Sequence, residues 1–205
     1  GQFAVMGHSI GCLIACAVCE RAKRELNVEP VFAVMIERGP PNLPVLSAFG
    51  LELLRKDPLE FLKIYSPPTA KGVEGFKAAD KDNTGANWRH ILDMWGNDLQ
   101  IESDTREVGW YTFPCPILAF NSPVTYTRDL SKEQKLQAED FFKIRTPRNF
   151  IGHFSPEQFR EWSQWTCHPE GATVIPIDAD HFGIKKHEEL KRHLWAELGK
   201  VVDQF

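Results

Sequence analysis

The sequence predicts an α/β fold with a mostly parallel sheet, and two patterns carry that prediction. Short runs of apolar residues, at 2–6, 31–36, 116–120 and 173–177, are separated by stretches with helical periodicity. The first two runs flank one such stretch, giving strand, helix, strand in an order that makes a parallel pair. Runs that are apolar at nearly every position, rather than at every second one, belong to strands covered on both faces.

The elements follow in order. Residues 2–6 read as a buried strand already under way, with no turn or cap before it, so upstream sequence is expected. A helix over 12–26 sets Leu13, Ile14, Cys16, Ala17 and Val18 against Glu20, Arg21, Lys23, Arg24 and Glu25, and Asn27 and Pro30 end it. The second strand is 31–36, and the loop 38–44 after it is enforced by three prolines and a glycine. Residues 45–113 show no strand pattern; they read as short helices at 48–55, 58–65 and 88–106, a helical insertion between strands that suits a lid. Strand 116–120 follows, then a long excursion from 121 to 149 with a polar helix near 131–142. Ser155 as N-cap, Pro156 at the first helical position and Gln158 completing a capping box open another helix. Strand 173–177 comes last. A C-terminal helix over 186–203 carries Leu190, Leu194, Trp195, Leu198 and Val201 on one side. The expected organisation is therefore a core at 1–44 and 114–205 with a helical lid at 45–113.

Composition narrows the function classes. The 205 residues are 42% hydrophobic and 25% charged, enough for one globular domain. A net charge of −4 gives no reason to expect nucleic acid or an anionic membrane as partner. No stretch approaches the roughly 20 apolar residues of a membrane span, and no secretory signal is present, so a cytoplasmic place is expected. Five cysteines, an odd number without framework spacing, argue against a disulfide-stapled domain. Cys12, Cys16 and Cys19 share one helix face and read as small core residues, since no second Cys or His pair stands at metal-ligand spacing.

The chemistry is concentrated in two places. Gly7-His8-Ser9-Ile10-Gly11 fits G-x-S-x-G, the sharp strand-to-helix bend that projects a serine Oγ clear of a sheet. Both glycines are expected to be needed for close packing at that bend. The Ile10 N–H, at the start of the following helix, is placed to bind a developing oxyanion. A serine hydroxyl needs a base, and His181 follows the last strand in Asp178-Ala179-Asp180-His181-Phe182. None of the six other histidines, His8, His90, His153, His168, His187 and His193, follows a strand in that way.

With these residues in view, the chain resembles the stand-alone (type II) thioesterases of polyketide and nonribosomal peptide synthesis, which have the α/β-hydrolase fold. The resemblance rests on the 7–11 pentapeptide, the loop Arg38-Gly39-Pro40-Pro41-Asn42-Leu43-Pro44 and Asp180-His181-Phe182. It extends to Asn97-Asp98-Leu99-Gln100-Ile101-Glu102, like a lid helix, and to residues 155–162, like the helix before the last strand. It implies hydrolysis of an acyl thioester from the phosphopantetheine arm of an acyl or peptidyl carrier protein, with Ser9 as nucleophile and no metal or organic cofactor. The fused, chain-releasing thioesterases are a close second. A carboxylesterase or lipase, or a degenerate domain that only binds carrier proteins, are the alternatives.

Two departures from the family pattern stand out. The earlier strands, and the loop that supplies a second oxyanion N–H, are missing from the chain. The type II pattern also wants a carboxylate soon after strand 116–120, where the sequence reads Asn121-Ser122-Pro123-Val124-Thr125-Tyr126-Thr127. Two acids are candidates: Glu37, which ends the second strand as in the fused thioesterases and is preferred, and Asp129. Trp88, Trp95, Phe61, Phe76 and Tyr65 read as lid core or, alternatively, as an acyl channel. Lys185, Lys186, Lys191 and Arg192 read as a solvated helix face, with an acidic carrier protein as the sharper alternative.

Overall fold

In the computed structural model the described residues are 3–43, 48–57, 90, 93–94, 96–98, 100–101, 111–122, 156–179 and 183–202. His181, Asp129, Ser155, the aromatic residues 61, 65, 76, 88 and 95, and the helices expected at 58–65 and 131–142 lie outside them. Two compact units divide the chain: residues 1–43, 108–124 and 153–205 form one, and 44–107 with 125–152 the other.

The first unit holds a four-stranded sheet in the order β1 (Phe3–His8), β2 (Pro30–Ile36), β3 (Ile117–Asn121), β4 (Ala172–Pro176), with every neighbouring pair parallel. The βαβ reading holds: α1 (Gly11–Leu26) joins β1 to β2 and packs on both. Asn27 caps it in a left-handed conformation (φ 52°), its N–H donating to the Lys23 carbonyl and the Val28 N–H to that of Ala22. Pro30 opens β2, the position in a strand where a missing N–H costs least.

One face of the sheet builds one part of the core. Phe32, Val34 and Ile36 from β2 and Leu118 and Phe120 from β3 gather with Ile177, Ile184 and Leu190. Leu194 and Leu198 of α4 (Glu188–Val202) close over them. Trp195 differs from expectation. It is 71% exposed, because the Leu190-Leu194-Leu198 spacing of four defines the packed stripe and position 195 falls off it. The helix is also shorter at its start than expected, since residues 184–186 form a separate 3-10 turn.

Before β4 the chain makes α3 (Pro156–Arg160) and a 3-10 segment, Glu161–Trp165. Phe159 and Trp162 are buried there, and the Trp162 indole N–H donates to the Arg38 carbonyl at 2.9 Å. The Arg38 guanidinium, itself buried, donates to the carbonyls of Gly39, Pro40 and Leu43 at 2.8, 3.2 and 3.1 Å. The proline loop is thus wound around a cation that takes up its carbonyl oxygens, an internal support its prolines cannot supply.

In the second unit, α2 (Ala48–Lys56) runs one residue beyond the expected helix, and the described positions between 90 and 101 are helical. Leu54 is buried and its Cδ2 lies 3.7 Å from where a Cβ on Gly96 would stand, so the two helical stretches pack at that point.

Candidate active site

The C-terminal ends of the parallel strands carry the candidate residues, as open α/β sheets dispose their ligand sites. Ser9 follows β1 directly and has φ 56°, a left-handed conformation in which a side chain is strained. The bend is held from both sides. Its N–H donates to the Ile36 carbonyl at the end of β2 (2.8 Å), and its carbonyl accepts from Cys12 N–H (2.9 Å) as the helix begins. Ile10 is the N-cap, with its carbonyl accepting from Leu13 and Ile14. Its own N–H has no acceptor among the described residues, which leaves it directed from a 16-residue helix whose dipole favours negative charge.

The expectation for the flanking glycines is half right. A Cβ on Gly7 would stand 2.5 Å from the backbone N and Cα of Cys12 and from the Gly11 carbonyl, so no side chain fits. Around Gly11 nothing described lies within 4 Å, so this glycine is not required by close packing. The reason is geometric: at Gly7 the helix folds directly back over the strand, whereas Gly11 lies beyond the bend on the outside of α1.

Glu37 occupies the corresponding place one strand over. It follows β2, has φ 57°, and its N–H donates to the Phe120 carbonyl at 2.9 Å. Its carboxylate is almost fully buried (2% exposed) and accepts the Ser122 N–H just after β3. An ionised carboxylate is tolerable at such a site only when charge-assisted hydrogen bonds replace water. The Ser122 hydroxyl in turn donates to the carbonyl of Ala179, two residues before His181. The same segment is tied to β3 a second time, Ile177 N–H donating to the Asn121 carbonyl at 2.8 Å. Asn121 is also buried, and neither atom of its side-chain amide has a partner among the described residues. Asp178, by contrast, is exposed.

Ser9, Ile10, Glu37 and the described part of the segment that runs toward His181 therefore lie along one rim of one sheet. Sequence reasoning found these positions; it missed Ser122. A serine after a strand carries no signal of its own, and only the parallel register of β2, β3 and β4 brings it between the acid and residue 179.

With the geometry stated, comparison with known proteins is informative at the level of fold. No family model matches the chain, and no curated protein does. Solved structures do. RedJ, a thioesterase from the prodiginine biosynthetic pathway of Streptomyces coelicolor, aligns with a TM-score of 0.52 at 19% identity over 96% of this chain and 59% of its own. ClbQ, from the colibactin NRPS/PKS pathway, aligns at 0.55 and 16% over 100% of this chain and 70% of its own. Human thioesterase 2 aligns at 0.54 and 17% over 98% and 73%. The chain shares the fold of these structures. The chain spans less than two thirds of the RedJ chain. The α/β-hydrolase expectation is thus borne out for the architecture of the sheet and its helices.

The cysteines behind the bend fit a structural role. Cys12, Cys16 and Cys19 are buried on one face of α1, as expected, and the Cys12 thiol donates to the Ile36 carbonyl at 3.6 Å. Burial is the main cause that pushes the Cys16 thiol far up, and it pushes Cys19 up to about 11 and Cys115 up to about 12. Thiols held neutral in this way are poor nucleophiles and poor ligands. No group of three or more His, Cys, Asp or Glu that could hold a metal ion occurs among the described residues, and no described helix is long and apolar enough to cross a membrane. Lys191 and Arg192 pair with Glu188 and Glu189 along α4.

Proposed function

We propose that this chain is a serine hydrolase that cleaves acyl thioesters. The observation that supports the reading is the pair of left-handed bends after β1 and β2, Ser9 and the buried, hydrogen-bonded Glu37 following neighbouring strands at one edge of a sheet whose fold is shared with thioesterases. In this reading His181 takes the Ser9 proton as Oγ attacks the thioester carbonyl, and Glu37 orients the imidazole. The Ile10 N–H steadies the oxyanion. The C–S bond breaks, the thiolate takes the proton from His181, and His181 then draws a proton from water as it attacks the acyl-serine. The acid is released and Ser9 regains its proton. A thiolate leaves more readily than an amine, so less help from the general acid is needed.

The substrate proposed is an acyl or peptidyl chain on the phosphopantetheine arm of a carrier protein. The structural neighbours support it: RedJ is a thioesterase from the prodiginine biosynthetic pathway, and ClbQ comes from the colibactin NRPS/PKS pathway. No cofactor is needed, since the pantetheine belongs to the substrate. The test pairs labelling with turnover. A fluorophosphonate is expected to modify Ser9 in the wild-type chain and not in Ser9→Ala. Acyl-pantetheine thioesters are expected to turn over faster than the matching oxygen esters, and Ser9→Ala to lose about 10^6-fold in kcat. Label on another residue, or equal rates on the two ester types, would overturn the nucleophile or the substrate class respectively.

A further inference from the structure

We propose that Ser122 is a positioning residue of this site: it ties the bend that carries Glu37 to the segment that leads into His181, and so sets acid against base. The inference rests on the triad reading above. Ser122 makes two hydrogen bonds in opposite directions, its N–H to the Glu37 carboxylate and its hydroxyl to the Ala179 carbonyl. Each tie has a backbone companion from the same strand end. Glu37 N–H donates to Phe120 and Ile177 N–H to Asn121, so residues 120–122 serve as a common anchor for both flanking segments.

The logic of the arrangement is mechanical. Glu37 lies at the end of β2 and residue 179 just beyond β4, and these strands are not neighbours: β3 runs between them. An acid on β2 and a base after β4 must be held at hydrogen-bonding distance across that intervening strand. The backbone ties fix the strand ends. The Ser122 hydroxyl fixes residue 179, two residues from the imidazole. With Ser122 5% exposed and Glu37 2% exposed, water has little access to take over either bond. A carboxylate just after β3 would stand on the strand next to β4 and need no such strut; one after β2 does.

The test is Ser122→Ala, which removes the hydroxyl tie and keeps the N–H bond to Glu37. The full chain is used, with Ser122→Thr as the conservative variant that restores the hydroxyl. Expected for Ser122→Ala is a fall of about ten-fold in kcat with KM within two-fold. Ser9 labelling by fluorophosphonate should slow in parallel. The acidic limb of kcat/KM should move to lower pH, because a loosened carboxylate supports the imidazolium less. Ser122→Thr is expected to recover most of the rate. If Ser122→Ala does not stay folded, Ser122→Cys, which keeps the volume and weakens the bond, takes its place.

Unchanged kcat and pH limb in Ser122→Ala, with Ser9 labelled in the wild type, would overturn the strut and leave the triad standing. A fall in rate that Thr does not recover and that tracks the unfolded fraction would also overturn it, since Ser122 would then be only a packing residue. A wild-type chain that neither labels at Ser9 nor hydrolyses thioesters would take down the triad reading and this inference with it.

Discussion

Ser9 and Glu37 sit on matching bends one strand apart, yet their side chains meet opposite surroundings. Both follow the last residue of a parallel strand, both have φ near 57°, and both continue the ladder by donating their N–H to the end of the next strand. Ser9 remains half-buried at the head of α1, whereas the Glu37 carboxylate is enclosed and bonded to Ser122. One backbone device thus serves two chemical needs. A nucleophile must reach substrate, and an acid that orients a base works best where water cannot screen it. What separates the two bends is the chain that comes next: a helix that turns away after Ser9, and a neighbouring strand end that closes over Glu37.

After loss of the nucleophile itself, changing the enclosed bend should have the largest consequence for turnover. Glu37→Gln keeps the size and an oxygen that accepts from Ser122, but removes the charge that fixes the base. A loss of about 10^3 to 10^4-fold in kcat is expected, with KM little changed and the thermal midpoint within a few degrees. Steady-state kinetics on an acyl-pantetheine settle it. If Asp129→Asn shows that loss and Glu37→Gln does not, the acid is Asp129 and Glu37 is structural.

At the exposed bend the largest effect on stability is steric. Gly7→Ala forces a Cβ to within 2.5 Å of the α1 backbone, and backbone cannot step aside as a flexible side chain can. Destabilisation of about 3 kcal/mol is expected, read as a lower urea midpoint with unchanged slope. A smaller effect of opposite sign is expected at Ser9 itself. Ser9→Gly removes the Cβ that makes φ 56° costly and should raise stability by about 1 kcal/mol while abolishing turnover. Ser9→Ala abolishes turnover too but keeps the Cβ, so it should bring no such gain. Equal stability in the two variants would show that the bend is not strained.

Much of this was legible in the sequence. The strands come within two residues of where the apolar runs put them, because a run covered on both faces needs no more information than its own composition. The bend at Ser9 was legible because a G-x-S-x-G between a strand and a helix has one way to fold. What was not legible depends on neighbours. The apolar run of β1 looks like that of β2, and the two pair in register from Ala4 and Phe32 onward. Yet Met6 is 60% exposed, while β2 is buried from Phe32 to Ile36, because β1 has a neighbour on one side only among the described strands. For the same reason Ile14 and Val18, apolar on paper, are exposed on α1 while the cysteines of that helix are buried. A sequence states which residues can be covered; the number of elements that cover them is set elsewhere in the chain.

Gly11 supplies the smallest and most discriminating change, because it separates motif from mechanics. It completes the G-x-S-x-G pattern, yet a Cβ there meets nothing described within 4 Å, and as the first residue of α1 it is in helical conformation. Glycine lowers helix stability by leaving more backbone freedom to lose. Gly11→Ala should therefore be neutral or raise stability by about 0.5 kcal/mol, less than in a helix interior because the first turn is only half constrained. Turnover should stay within about two-fold, since the Ile10 N–H and the Ser9 bend are untouched. Paired denaturation curves of Gly11→Ala and Gly7→Ala measure the contrast directly. If Gly11→Ala costs as much as Gly7→Ala, the space beside α1 is filled in solution by something that packs against residue 11, and the second glycine is as necessary as the first.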